Sequence, residues 1–276
     1  MQTVSASSPD GPSPLPQAER RAGRGGFAAC GQVASQRNGG RALRWEISLF
    51  VVLLVAFNIP LLLGNFSTRF AFHPGTVWAG EWWRLLTYPW VHVSWYHLAL
   101  DATAFLLAYA ELGNWRVRER LGCVAAAAMG SVLTALWWSP LVYLHGLSGL
   151  SGIAHGLTAV ASLQAATRER SRLLQGVGWV GFAATILKCL IEVSTGQVMF
   201  ASWHLGWLGT PIAGAHLGGV LGALLVWWWR KPDRSLQAAS ASSVSARRYS
   251  PTRGPFQDAT CLRTRSAIWI PTSSGR

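Results

Sequence analysis

Residues 149–166 read GLSGIAHGLTAVASLQAA: eighteen positions without one Asp, Glu, Lys or Arg. A bilayer's hydrocarbon core is about 30 Å thick and takes about 20 largely apolar helical residues to cross, so this stretch is a membrane-span candidate. It also carries Ser151 and His155 near its start, polar groups that cost free energy in lipid and mark function when they occur there.

Outward from it, five further apolar runs of similar length appear, at 46–64, 88–112, 120–138, 173–193 and 212–229. The whole chain is 50% apolar and 13% charged, against about 25% charged in soluble domains. The expected fold is therefore an all-α membrane protein with six spans. Three segments are expected: a disordered basic tail at 1–44, the six-span domain at 45–230 and a second disordered basic tail at 231–276.

The net charge of +13 sits largely in the tails, with six Lys and Arg residues in 1–44 and nine in 230–276. Those tails are rich in Ser, Gly, Pro and Arg, a composition of disorder rather than of a folded nucleic-acid reader, so nucleic acid is not expected as a partner. Positive charge favours cytoplasmic loops. Arg116, Arg118 and Arg120 lie between the second and third spans, and Arg168, Arg170 and Arg172 between the fourth and fifth. Segments 139–148 and 194–211 contain no Lys or Arg. Both termini are thus expected in the cytoplasm, with spans 2, 4 and 6 all running inward from the outer face. The cluster Trp227-Trp228-Trp229-Arg230-Lys231 fits an interfacial belt on the cytoplasmic side. The bilayer is the expected environment, that of a bacterial inner membrane.

That parity brings His92, His97, Asp101, Ser148, Ser151, His155 and His216 to one depth. A serine hydroxyl becomes a competent nucleophile when a neighbouring base takes its proton. Ser151 opens span 4, where a helix N-terminus offers unpaired N–H groups to a developing oxyanion, and His216 is the expected base one turn into span 6. Small residues at 152 and 156, at 214, 218 and 222, and at 215, 219 and 223 permit tight helix contact in lipid, here expected between spans 4 and 6. Cys30, Cys123, Cys189 and Cys261 form no CxxC pair, and no H-E-x-x-H pattern is present, so neither metal nor cofactor is expected.

Three motifs together resemble the rhomboid family of intramembrane serine proteases. They are His92-Val-Ser-Trp-Tyr-His97-Leu-Ala-Leu-Asp101, Gly149-Leu150-Ser151-Gly152 and Ala215-His216-Leu217-Gly218-Gly219. Gly80-Glu81-Trp82-Trp83-Arg84 resembles the family's entry into span 2, and Gly149–Leu157 is most similar to the rhombosortase subgroup. The resemblance implies a six-helix rhomboid-like bundle and a Ser151–His216 dyad that cleaves membrane-anchored protein substrates near the outer face. In the rhombosortase case these are C-terminal anchors. The rival reading is an inactive rhomboid-like binder of transmembrane segments. His97, Asp101 and Gly149 are expected around the oxyanion, His155 as a shelf under His216, His92 and Arg84 as structural, and Lys188 and Glu192 as an ion pair or a substrate-proximal pair. Asp101 stands where the family usually has Asn. The expectation is a protonated carboxyl acting as a donor, since low dielectric favours the neutral form. Two Gly-x-Ser-Gly copies overlap; Ser151 is chosen over Ser148 because Gly156 follows it by five residues.

Overall fold

The computed structural model describes residues 40–199, 205–206, 209–210 and 212–230. The tails expected at 1–44 and 231–276 lie outside the described residues apart from 40–44. The described residues are mostly helical, and among them no strand occurs beyond an isolated bridge between Phe72 and Leu147.

Among the described residues, six long helices carry the fold: α1 (40–57), α2 (Trp95–Glu111), α3 (Val117–Trp138), α4 (Ser151–Arg168), α5 (Arg172–Thr195) and α6 (Ala213–Trp229). Short helical turns fill the connections, at Ile59–Leu62, Pro74–Trp78, Arg84–Thr87 and Leu141–His145. Two boundaries differ from the sequence expectation. The run at 46–64 starts earlier and breaks at buried Asn58. Its side-chain amide donates to the carbonyls of Leu54 (2.7 Å) and Trp90 (2.6 Å), while its oxygen accepts from His92 N–H (2.9 Å). The run at 88–112 is not one helix. Tyr88–Trp90 is a 3₁₀ turn containing Pro89, the chain then extends, and α2 begins after Ser94, whose hydroxyl accepts from His97 N–H at 3.1 Å. A serine N-cap satisfies a donor that the first helical turn leaves unpaired.

α3 and α5 are long and apolar enough to cross a membrane, with mean hydropathy 1.6 and 1.5 over their most apolar windows. Only 28% and 22% of those windows is buried. A soluble core helix would show the reverse. Trp137, Leu144, Val180, Leu187 and Trp228 likewise point outward, an apolar perimeter suited to lipid.

In lipid, helix association rests on close van der Waals packing and interhelical hydrogen bonds, so backbones must approach. A methyl group on Gly152 would lie 2.7 Å from the Ala215 carbonyl oxygen, and one on Gly156 or Gly219 would overlap the opposing backbone of α6 or α4. Gly218 and Gly222 behave differently. They abut Gly130 and Ala126 of α3, so the row at 214, 218 and 222 seals α6 to α3, while Ala215, Gly219 and Ala223 face α4. The small residues expected between α4 and α6 serve that interface and a second one with α3, because small residues lie on two faces of α6.

Buried polar pins hold the fold at two places. Arg120, expected as a loop charge, is buried in α3 and paired with Glu46 at 2.6 Å, with Tyr109 bonded to the same carboxylate. Arg84 is buried in the connection ahead of α2, where it donates to the carbonyls of Thr68 (2.8 Å) and Ala71 (2.9 Å) and to Glu81 (2.5 Å).

Candidate active site

The start of α4 is set by two glycines in backbone conformations that other residues rarely adopt, Gly146 (φ 73°) and Gly149 (φ 99°). The bridge bonds between Phe72 and Leu147 (2.9 and 2.8 Å) and the Gly149 N–H to Tyr88 carbonyl bond (3.0 Å) fix this loop against the rest of the fold. Ser151 is then the first residue of α4. The N–H groups of a first turn have no acceptor within their own helix and carry the positive end of the helix dipole.

His216, the fourth residue of α6, is brought to Ser151 by the glycine contacts between α4 and α6. Its Nε2 lies 3.1 Å from Ser151 Oγ, and its Nδ1 lies 2.7 Å from Glu192 Oε2 on α5. The His155 ring stacks on the His216 ring, centroids 4.3 Å apart, and His155 Nδ1 lies 2.7 Å from the Ser151 carbonyl oxygen. Glu192 is fully buried, and Lys188 donates to its second oxygen at 2.6 Å. Glu192 thus joins Lys188 on its own helix to His216 on α6. Sequence separation hides that contact, since an i,i+4 Lys–Glu pair already accounts for the carboxylate.

Ser148, Ser151, His155, His216, His97 and Asp101 line one cavity of about 940 Å³. His216 makes its hydrogen bond to Ser151. A methyl group on Gly149 would lie 2.8 Å from both Asp101 Oδ2 and His97 Cε1, so this glycine lets the start of α4 press against α2. Asp101 Oδ2 lies 3.2 Å from His97 Nε2 and 3.4 Å from buried His92 Nε2, and the two imidazoles meet edge to face. Two imidazole nitrogens thus flank one carboxyl oxygen. His73 also lines the cavity, and burial followed by the Arg84 charge lowers its pKa below the usual histidine value.

His155, Glu192 and His216 offer ligand atoms within 4.8 Å of one another. His216 Nδ1 is already bonded to Glu192, its Nε2 to Ser151, and His155 Nδ1 to a carbonyl. The set is linked internally as a hydrogen-bonded chain. What this chain of groups can do is move a proton from a serine hydroxyl onto an imidazole backed by a carboxylate.

The fold and site thus define a helical protein with apolar outer surfaces around a serine–histidine–carboxylate cluster that lines a cavity. The family model described as Rhomboid domain matches residues 79–232, more than half of the chain, and the chain belongs to the rhomboid family. Rhomboids are integral membrane proteins and generally intramembrane serine proteases that act on membrane-protein substrates. The comparison with curated proteins found no match.

Proposed function

We propose that this protein is an intramembrane serine endopeptidase in which Ser151 is the nucleophile and His216 the general base. The observation that carries the reading is the 3.1 Å contact between His216 Nε2 and Ser151 Oγ inside the cavity that His97 and Asp101 also line. As Oγ attacks the scissile carbonyl carbon, its proton passes to His216 Nε2. The oxyanion forms beside the first-turn N–H groups of α4, with His97 as a further donor. His216 then protonates the leaving amine as the C–N bond breaks, and water resolves the acyl-enzyme with His216 again taking the proton.

In this reading the six helices are six spans, both termini are cytoplasmic, and the cavity opens near the outer face of a bacterial inner membrane. The charge-free segments 139–148 and 194–211 support that orientation. The stretch Gly149–Leu157 supports the rhombosortase subgroup and, with it, substrates held by a short C-terminal anchor.

The deciding experiment is to label the purified protein with a fluorophosphonate and map the modified residue. Modification at Ser151, lost in Ser151→Ala, is the expected result. A protein that binds anchored segments but takes no label at any serine would be a non-catalytic binder.

A further inference from the structure

We infer that Glu192 is the positioning residue of a Ser151–His216–Glu192 array, with Lys188 setting its charge; this rests on Ser151 being the nucleophile. A general-base histidine must present a lone pair to the serine, so its proton must sit on the other nitrogen. Nothing in a Ser–His pair alone enforces that tautomer. Here an ionised carboxylate, which only accepts, lies 2.7 Å from His216 Nδ1. Nδ1 therefore carries the proton, and Nε2 faces Ser151 Oγ with its lone pair free.

The carboxylate is built into this place. Its Oε2 is given to His216, while Oε1 accepts from Lys188 Nζ at 2.6 Å and from Met199 N–H at 3.0 Å. Glu192 is wholly buried, and its Lys188 partner is partly exposed and lines the cavity. An ion pair serving packing alone would leave Oε2 to another role. Instead the second oxygen reaches across from α5 to α6. As His216 takes the serine proton, the carboxylate stabilises the imidazolium that forms, as in soluble serine proteases with an aspartate at this position.

Among the described residues, the titratable groups facing His216 are His155 on α4, Glu192 and Lys188 on α5 and, across the cavity, His97 and Asp101 on α2 and His73 and His145 in the connections. Of these, Glu192 alone contacts Nδ1, which gives a test with a sign. The test is the rate of Ser151 modification by a fluorophosphonate as a function of pH, in the full-length protein. Glu192→Gln offers its amide or carbonyl to Nδ1 without the charge. The rate at neutral pH should fall by up to roughly 10,000-fold, the loss seen when the equivalent aspartate is neutralised in a soluble serine protease. The acidic limb should move to lower pH, because the imidazolium has lost its counter-charge. Lys188→Met removes the competing cation, and its acidic limb should move the other way, to higher pH. Opposite shifts are not produced by a general loosening of the fold. A Glu192→Gln rate within about twofold of wild type with an unshifted limb would overturn the inference. If Glu192→Gln does not fold, an unshifted limb in Lys188→Met does the same. Absence of labelling at Ser151 in the wild type would instead sink the protease reading itself.

Discussion

The imidazole of His155 lies flat against that of His216, their planes 15° from parallel and their centroids 4.3 Å apart. One turn of α4 thus supplies both the Ser151 hydroxyl and the surface on which its partner ring rests, with His155 tethered to the Ser151 carbonyl. Aromatic stacking contributes about 0.5–1.5 kcal/mol beyond burial, which sets the expected size of its loss. His155→Ala should slow Ser151 modification roughly two- to tenfold, and His155→Phe, which keeps the flat face, should retain most of the rate. Equal, severe loss in both variants would point to proton transfer by His155 rather than support.

Ser151→Ala and His216→Ala should each abolish cleavage of a co-expressed anchored substrate, and the double variant should be no worse, because residues acting as one unit do not lose activity additively. Ser148→Ala should leave clear activity. Ser148 lines the same cavity, but His216 bonds to Ser151. Immunoblotting of the substrate in cells distinguishes the four variants.

The two faces of α6 predict a separation of stability from activity. Gly219→Ala would drive a methyl group into the Gly152 backbone and widen the gap that Ser151 and His216 must bridge. It should cost about 3 kcal/mol or more, at the upper end for overpacking, and remove fluorophosphonate labelling. Gly218→Ala meets Gly130 and Thr134 on α3 instead. It should lower thermal stability in detergent by a similar amount while the surviving folded fraction still labels.

Which of these features can be read from residues alone follows from how local each one is. The apolar runs and the Gly-x-Ser-Gly pattern around Ser151 are legible because each depends on consecutive or one-turn neighbours. The start of α2 was also encoded, in Pro89 and in the Ser94 cap three residues before His97, but the continuous apolar character of 88–112 masks it. The Glu192–His216 contact spans two helices and 24 residues, and no periodicity marks it. The division of labour between the two glycine rows of α6 is hidden for the same reason. A small residue permits close approach without stating which helix approaches.

At the far end of the bundle, Arg120 is 1% exposed and paired with Glu46. Breaking a buried pair by removing one partner costs about 3–5 kcal/mol, because the other charge remains uncompensated. Arg120→Met should therefore lower the unfolding temperature sharply, and adding Glu46→Gln should recover much of the loss. Neither change should alter the pH dependence of Ser151 modification in the folded fraction. A shift there would mean that this pair communicates with the site.

Asp101 offers the sharpest separation between a charge and a donor. Its Oδ2 lies within 3.4 Å of two imidazoles, those of His92 and His97. If it is a carboxylate that orients His97 toward the oxyanion, then Asp101→Asn removes the charge that holds both rings. It should then be nearly as damaging as Asp101→Ala. If it were a protonated donor to the oxyanion, Asp101→Asn would supply a permanent donor, preserve activity and flatten any alkaline loss. Both imidazoles meet the same oxygen, Oδ2, so an asparagine whose amide oxygen takes that place keeps both contacts and loses only the charge. Loss of one oxyanion donor typically lowers the rate about 100- to 1000-fold, so His97→Ala should fall in that range. Asp101→Asn, which removes the charge beside His97 without deleting the ring, should lose somewhat less. Rates of substrate cleavage across pH for Asp101→Asn, Asp101→Ala and His97→Ala, beside wild type, decide between the two. An Asp101→Asn enzyme at full activity on the alkaline side would restore the donor role.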